Sequence, residues 1–364
     1  MSPLALRQQI GQLLIAGFDG PEVPVELKAL AREFSIGGVI LFKRNVEDPD
    51  QVKDVARQIE ALGTELPPWV AVDQEGGRVA RLKRPFTEWP PMIALGRSGS
   101  TDLARRFARA LAEELAAVGV TLDYAPVLDV LTSTTNPAIG DRALADTVDV
   151  VSQLGRVIIT ELQNAGIAAC GKHFPGHGDT SVDSHHELPI VEHPPDRLRA
   201  IEFRPFEAAI AAQVASIITA HILVPSLDPE WPATLSRRIV TGILRNELHF
   251  TGVIFTDDME MQALAARWPV PDACVQAVAA GCDGVLVCSG NTALQFASLE
   301  ALVHAVEDER LPWSQIEDSL LRHRRMKERF LATRANRPPE PGGWRSVLGR
   351  ESHAAIAEEI ARFV

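Results

Sequence analysis

Gly166-Ile167-Ala168-Ala169-Cys170-Gly171-Lys172-His173-Phe174-Pro175-Gly176-His177-Gly178 joins a short apolar run to a polar segment that continues to Pro189. Gly166 to Cys170 has no polar alternation and reads as a buried strand. From Gly171 to Pro189 the chain carries three glycines, two prolines, three carboxylates and four of its ten histidines. Glycine and proline at that density exclude a regular helix or a central strand, so a long ordered loop leaving a strand end is predicted. Loops of that length in compact domains are usually functional or disordered, and Phe174, Val182 and Leu188 give this one an apolar anchor that favours function.

The same pattern, an apolar run that discharges into polar residues, recurs outward in both directions. Strands are predicted over Ile10 to Phe18, Gly37 to Phe42, Trp69 to Val72, Thr121 to Val127, Ser216 to Ile222, Gly252 to Thr256 and Gly284 to Cys288, which with Gly166 to Cys170 makes eight. Helical spacing lies between them: Val25 to Phe34, Pro49 to Leu62 behind the capping Asp48, Asp102 to Val118, Val148 to Ala165, Pro195 to Gln213, Ser236 to Leu248 and Pro271 to Ala280. Two more helices are predicted within Ala293 to Leu331. Uniformly apolar strands argue for parallel pairing under helices on both faces, and a (β/α)8 barrel is the simplest closure. A doubly wound open sheet is the alternative, but the phosphate-cradling Gly-x-Gly-x-x-Gly after the first strand is missing. Residues 1–334 are assigned to the barrel. Residues 335–364 form a Pro/Gly-rich linker, Arg337 to Gly343, and a last helix over Ala354 to Phe363.

With 364 residues, 46% hydrophobic, the chain has ample material for a large core, and its net charge of −12 disfavours a nucleic-acid partner. The basic cluster from Arg322 to Arg329 reads as a solvated helix face. The N-terminus lacks the pattern of a secretory signal, and no apolar run approaches the roughly 18 residues that span a bilayer. A soluble cytoplasmic protein without a membrane partner is expected. The four cysteines, at 170, 274, 282 and 288, make no Cys-x-x-Cys pattern and read as buried reduced thiols.

Polar clusters gather where the strands end, the place where barrels of this kind keep their functional groups. Asp73-Gln74-Glu75-Gly76-Gly77-Arg78 and Arg81 follow the third strand, Asp129 and Asp141-Arg142 the fourth, Lys172-His173 the fifth, His221 the sixth, and Asp257-Asp258 the seventh. Carboxylates, guanidinium groups, a lysine and histidines converging in this way suit a polyhydroxylated ligand. Within the long loop, Asp183 and His185 are two residues apart in extended chain and project to one side, so the carboxylate can hold one imidazole nitrogen. The other nitrogen is free to transfer protons near neutral pH, around the unperturbed histidine pKa of about 6.5. Asp257, fixed behind Val253, Ile254 and Phe255, is the matching nucleophile. Asp258 is expected to point the other way.

Lys172-His173-Phe174-Pro175-Gly176-His177-Gly178 with Asp183-Ser184-His185, Asp73-x-Glu75-Gly76-Gly77-Arg78, Gly140-Asp141-Arg142 and Thr256-Asp257-Asp258-Met259-x-Met261 resembles glycoside hydrolase family 3 from about Leu13 to Leu331. The likeness is strongest to its single-barrel bacterial β-N-acetylhexosaminidases of peptidoglycan recycling. That resemblance implies removal of terminal β-linked N-acetylglucosamine through a covalent glycosyl-enzyme. Asp257 is then the nucleophile and His185 the acid/base paired with Asp183, while Asp73, Arg81, Arg142, Lys172 and His173 bind the sugar. It implies a carbohydrate substrate, no cofactor and no metal. Gln74 departs from the pattern, standing where histidine is common. On its Gly-flanked loop, His185 predicts a site assembled by loop closure over bound sugar. Four other readings are weighed: a β-glucosidase or a phosphorylase of the same family, a metal-dependent barrel hydrolase using His173, His177, Asp179, Asp183 and His185, and a non-catalytic sugar-binding module.

Overall fold

In the computed structural model, which describes residues 2–63, 67–180, 182–184, 187–332 and 343–364, eight strands pair in parallel in chain order and close into a barrel. In chain order the elements are α1 (Pro3–Gly11), β1 (Leu14–Ala16), α2 (Val25–Phe34), β2 (Gly38–Leu41), α3 (Pro49–Glu60), β3 (Trp69–Val72), α4 (Met92–Ser98), α5 (Thr101–Ala117) and β4 (Leu122–Asp123). Then follow α6 (Val148–Asn164), β5 (Ala168–Phe174), α7 (Pro195–Ala200), α8 (Arg204–Ala211), β6 (Ser216–Thr219), β7 (Val253–Asp258), α9 (Gln262–Ala265), α10 (Val270–Ala280) and β8 (Gly284–Val287). The chain ends with α11 (Thr292–Glu307), α12 (Trp313–Phe330) and α13 (Glu351–Ala361). Closure comes from β1 lying beside β8, with Leu14 opposite Val285 and Ala16 opposite Val287. The (β/α)8 expectation holds, and every strand found falls inside or overlaps a predicted apolar run, but β5 runs past Cys170 through Gly171–Phe174, which the sequence reading assigned to the loop: these residues are buried and the extension pairs with β6, Gly171 opposite Ile217 and Phe174 opposite Thr219.

Local chemistry explains where boundaries differ from the sequence reading. The run from Ile10 to Phe18 is not one strand, because Ser2 caps a helix by accepting from the Ala5 N–H at 3.2 Å and Pro3 opens it, so α1 takes Ile10 and Gly11. The helix predicted from Pro195 to Gln213 is two helices. Pro205 sits in the first turn of α8 and has no N–H to continue α7, and Arg197 ties the break by donating to Glu202 at 2.6 Å. Between β6 and β7 the helix, Arg238–Glu247, is wound as a π-helix. Asp48 caps α3 by accepting from the Gln51 N–H at 2.9 Å, as its position implies.

The barrel is a packed core and not a pore. Trp69, Tyr124, Phe255, Ala168, Cys170 and Val253 fill its interior, and Met326 and Phe330 of α12 close the end where the strands begin. Val253, Phe255, Met326 and Phe330 each contribute roughly 1.5–3 kcal/mol by leaving water, and a single methyl such as that of Ala168 about 0.8 kcal/mol. The opposite mouth is left for polar residues. No described helix is long and apolar enough to cross a membrane. The described tail packs against α5: Arg106 makes two 2.9 Å bonds to Glu359, His353 meets Glu114 at 2.8 Å, and Ile360 is buried.

Candidate active site

Residues at the C-terminal ends of the strands and on the loops beyond them line one cavity of about 280 Å³ at this mouth: Lys172 and His173 of β5, Asp257 and Asp258 of β7, and Asp73, Glu75, Arg81, Arg142 and Asp183 from the loops all border it. Asp73 directly follows β3. The turn after it is made by Gly76 and Gly77, whose φ values of 108° and 56° lie in the left-handed region that a side chain disfavours. That turn brings the chain back, so that Gln74 accepts from the N–H groups of Arg81 and Leu82 at 2.8 and 3.0 Å. Gln74 is therefore scaffolding.

Two carboxylates and three cations form the wall. Lys172 donates to Asp73 at 2.7 Å and lies 2.6 Å from Glu75; Arg142 grips Glu75 through two bonds of 2.8 and 2.9 Å; Arg81 reaches Asp73 at 3.3 Å. Burial pushes the Glu75 carboxyl towards protonation, but the charges of Arg142 and Lys172 overcome it and hold the group well below the usual carboxylate range. Burial also opposes the charges of Lys172 and Arg142, and the neighbouring carboxylates more than reverse that, so both stay cationic. Glu75 ionised beside cationic Lys172 and Arg142 gives a sugar a fixed acceptor and fixed donors.

His173 is oriented from behind. Its Nδ1 lies 2.7 Å from the buried Asp129, which also accepts from the backbone N–H groups of His173 and His177 at 3.2 and 2.7 Å. Arg142 approaches Nε2 at 3.5 Å as a donor, which leaves Nδ1 to carry the proton towards Asp129. His177 anchors the loop instead of binding ligand: Nδ1 meets Thr180 at 2.7 Å and Nε2 meets Ser184 at 3.2 Å. Burial, with His173 nearby, pushes its pKa down to about 4, so it works as a neutral hydrogen-bonding group.

Asp257 enters from β7. Burial raises its pKa, yet His173, His221, the Asp258 N–H at 2.8 Å and Lys172 outweigh that and leave it below the ordinary value. An ionised carboxylate facing the cavity is what a nucleophile requires. His221 steadies this segment by donating through Nε2 to the Asp258 carbonyl at 3.0 Å. Asp258 does not turn away from the site as strand alternation predicts, because the β7–β8 register shifts between Phe255 and Asp258. Its carboxylate accepts from the N–H groups of Glu260 and Cys288, both at 3.2 Å, and burial pushes its pKa up to about 7.

Seven of the eight sequence-predicted site residues thus border one cavity, with Asp183 on the loop side. His185 lies outside the described residues, as do its pairing with Asp183 and the predicted loop closure. Sequence reasoning assigned no role to Glu75 or to Asp129. Their signal was present, since both are carboxylates just beyond strand ends. Among the described residues no three His, Cys, Asp or Glu side chains are grouped to hold a metal ion, and Asp179 of the proposed zinc set pairs with His193.

Comparison with known proteins points the same way. The model of the Glycosyl hydrolase family 3 N terminal domain matches residues 5–326. A β-hexosaminidase of Nitrosomonas eutropha is 41% identical over 260 residues, 70% of this chain and 74% of that protein. Among solved structures, a glycoside hydrolase family 3 β-N-acetylglucosaminidase from Paenibacillus sp. str. FPU-7 superimposes with a TM-score of 0.92 at 38% identity, covering 98% of this chain and 68% of that one. NagZ from Neisseria gonorrhoeae in complex with N-trifluoroacetyl-D-glucosamine gives 0.78 at 31% identity over 96% and 97%.

Proposed function

From the premise that the chain belongs to glycosyl hydrolase family 3, we propose that it removes terminal, non-reducing β-linked N-acetylglucosamine from peptidoglycan fragments with retention of configuration. The observation that carries this reading is the Asp257 carboxylate, kept below its ordinary pKa inside a cavity whose wall is Asp73, Glu75, Arg142 and Lys172. Asp73 accepts from sugar hydroxyls while Arg81, Arg142, Lys172 and His173 contribute the remaining polar contacts, and the cavity holds the ring with the anomeric carbon against Asp257.

Asp257 attacks the anomeric carbon as the glycosidic bond breaks, giving a glycosyl ester. His185, oriented by Asp183, gives its proton to the departing oxygen, then takes a proton from the water that cleaves the ester. The spacing test for a pair of catalytic carboxylates does not apply, because a histidine fills the second place. A neutral histidine also avoids repelling an anion in the second step, so phosphate can compete with water. N-acetylglucosamine 1-phosphate formed during turnover in phosphate buffer is the mark of that second reading.

The deciding experiment compares hydrolysis of an aryl β-N-acetylglucosaminide with that of the matching aryl β-glucoside. Preference for the N-acetylglucosaminide is expected. Preference for the glucoside makes the chain a β-glucosidase.

A further inference from the structure

Beneath the charged wall the cavity floor is mostly apolar. β2 supplies Ile40, β6 supplies Ile218, and β8 with the residue after it supplies Leu286 and Cys288. Tyr124, the residue that follows β4, completes the floor and brings a hydroxyl to these otherwise apolar described residues. Odd-numbered strands feed Asp73, Lys172 and Asp257 into the mouth, and even-numbered strands feed this floor, the alternation by which barrel interiors are filled.

The position of Tyr124 is tightly fixed. Its backbone N–H donates to Val72 at 2.9 Å, beside the start of the Asp73 turn. Its ring meets Phe255 edge-on with centroids 6.1 Å apart, and Phe255 is two residues before Asp257 on β7. The phenol therefore lies between the strand that leads to Asp73 and the strand that carries Asp257. The side chain is fully buried, and its hydroxyl has no hydrogen-bond partner among the described residues. A buried hydroxyl in that condition costs of order 1–3 kcal/mol. Phenylalanine would fill the same space and keep the Phe255 contact without that cost. Burial also pushes the phenol well above its ordinary pKa, so it remains a protonated donor.

We propose that the Tyr124 hydroxyl is a specificity contact that donates a hydrogen bond to one hydroxyl of the bound sugar, selecting against analogues that lack that group. A site with a polar group waiting for a substrate hydroxyl rejects the deoxy analogue, because binding it leaves the protein group unpaired in a dry cavity. The inference rests on the glycosidase reading above and adds a substrate contact from the floor to those from the wall.

Tyr124→Phe tests it, with the wild type beside it, on the aryl β-N-acetylglucosaminide and its 3-, 4- and 6-deoxy counterparts. The expected result has three parts. KM rises roughly three- to tenfold on the parent glycoside, the range of one neutral hydrogen bond. The discrimination against one deoxy analogue, and only one, shrinks by the same factor. The unfolding temperature stays the same or rises. An unchanged KM with all three discriminations intact overturns the proposal, and so does a lowered unfolding temperature without a change at any single sugar position, which marks a packing role. If the wild type cleaves only the aryl glucoside, the functional reading fails alone, and the same comparison on deoxyglucosides still decides the role of Tyr124.

Discussion

The two ends of the barrel both bury charge, and they do opposite things with it. At the end where the strands begin, Asp283 is enclosed: one oxygen accepts from Ser319 at 2.8 Å and Arg322 at 2.9 Å, the other from the Ile254 N–H at 2.8 Å and from Arg245. His323 adds a bond to the Asp283 carbonyl at 2.8 Å. Protein groups meet both carboxylate oxygens. At the mouth, the Asp257 carboxylate accepts one hydrogen bond among the described residues, from the N–H of Asp258, and the residue lines the cavity. A satisfied buried carboxylate holds elements together, whereas one left open to a cavity is available for chemistry.

The contrast is broken first by exchanging roles. Asp257→Ala should lower kcat by at least about a thousandfold while leaving the unfolding temperature almost unchanged, since it removes the group that forms the intermediate. Retained turnover would falsify the nucleophile assignment. Asp283→Ala should do the reverse: two arginines lose their buried counter-charge, and urea unfolding should show a loss of about 3–5 kcal/mol with kcat of the folded enzyme unchanged. A stable but inactive variant would show that the lower end also serves catalysis.

Smaller effects sharpen the comparison. His185→Ala should slow cleavage of alkyl glycosides by about a hundredfold and of nitrophenyl glycosides far less, because an activated phenolate departs with little proton donation. Equal slowing of both classes counts against the acid role. The smallest change is expected from Lys327, which is buried at the lower end and donates to Gln12 Oε1 at 2.9 Å. Burial pushes its pKa from 10.5 down to about 7. Between those values the unfolded chain binds the proton and the folded chain does not, so this lysine makes stability rise with pH across that window and contributes no slope outside it. Lys327→Met should raise the unfolding temperature at pH 7 by a few degrees and flatten the slope. A variant whose stability curve keeps the wild-type slope locates the titration elsewhere.

The architecture was legible because burial on both faces leaves uninterrupted apolar runs, and runs such as Trp69–Val72 end where a polar residue begins. Caps of one residue, Asp48 above all, fixed helix starts in the same way. What escaped were relations between distant positions. Glu75 and Arg142 are 67 residues apart, and nothing in either neighbourhood names the other as its partner. Asp129 serves His173 across 44 residues, and the β7–β8 register shift that turns Asp258 towards the cavity arises from pairing with another strand. Spacing reveals which face is buried, but the identity of what covers it is set only when the sheet closes.

That closure has a consequence for synthesis. Because Leu14 pairs with Val285, the first strand has no second neighbour until nearly the whole domain has left the ribosome, and it waits with an unpaired edge. Asp73, Lys172 and Asp257 emerge in that order, yet the ring that sets their mutual distances is completed only by β8. So high a share of distant pairing favours slow acquisition of activity, with sugar binding the last property a newly made chain gains.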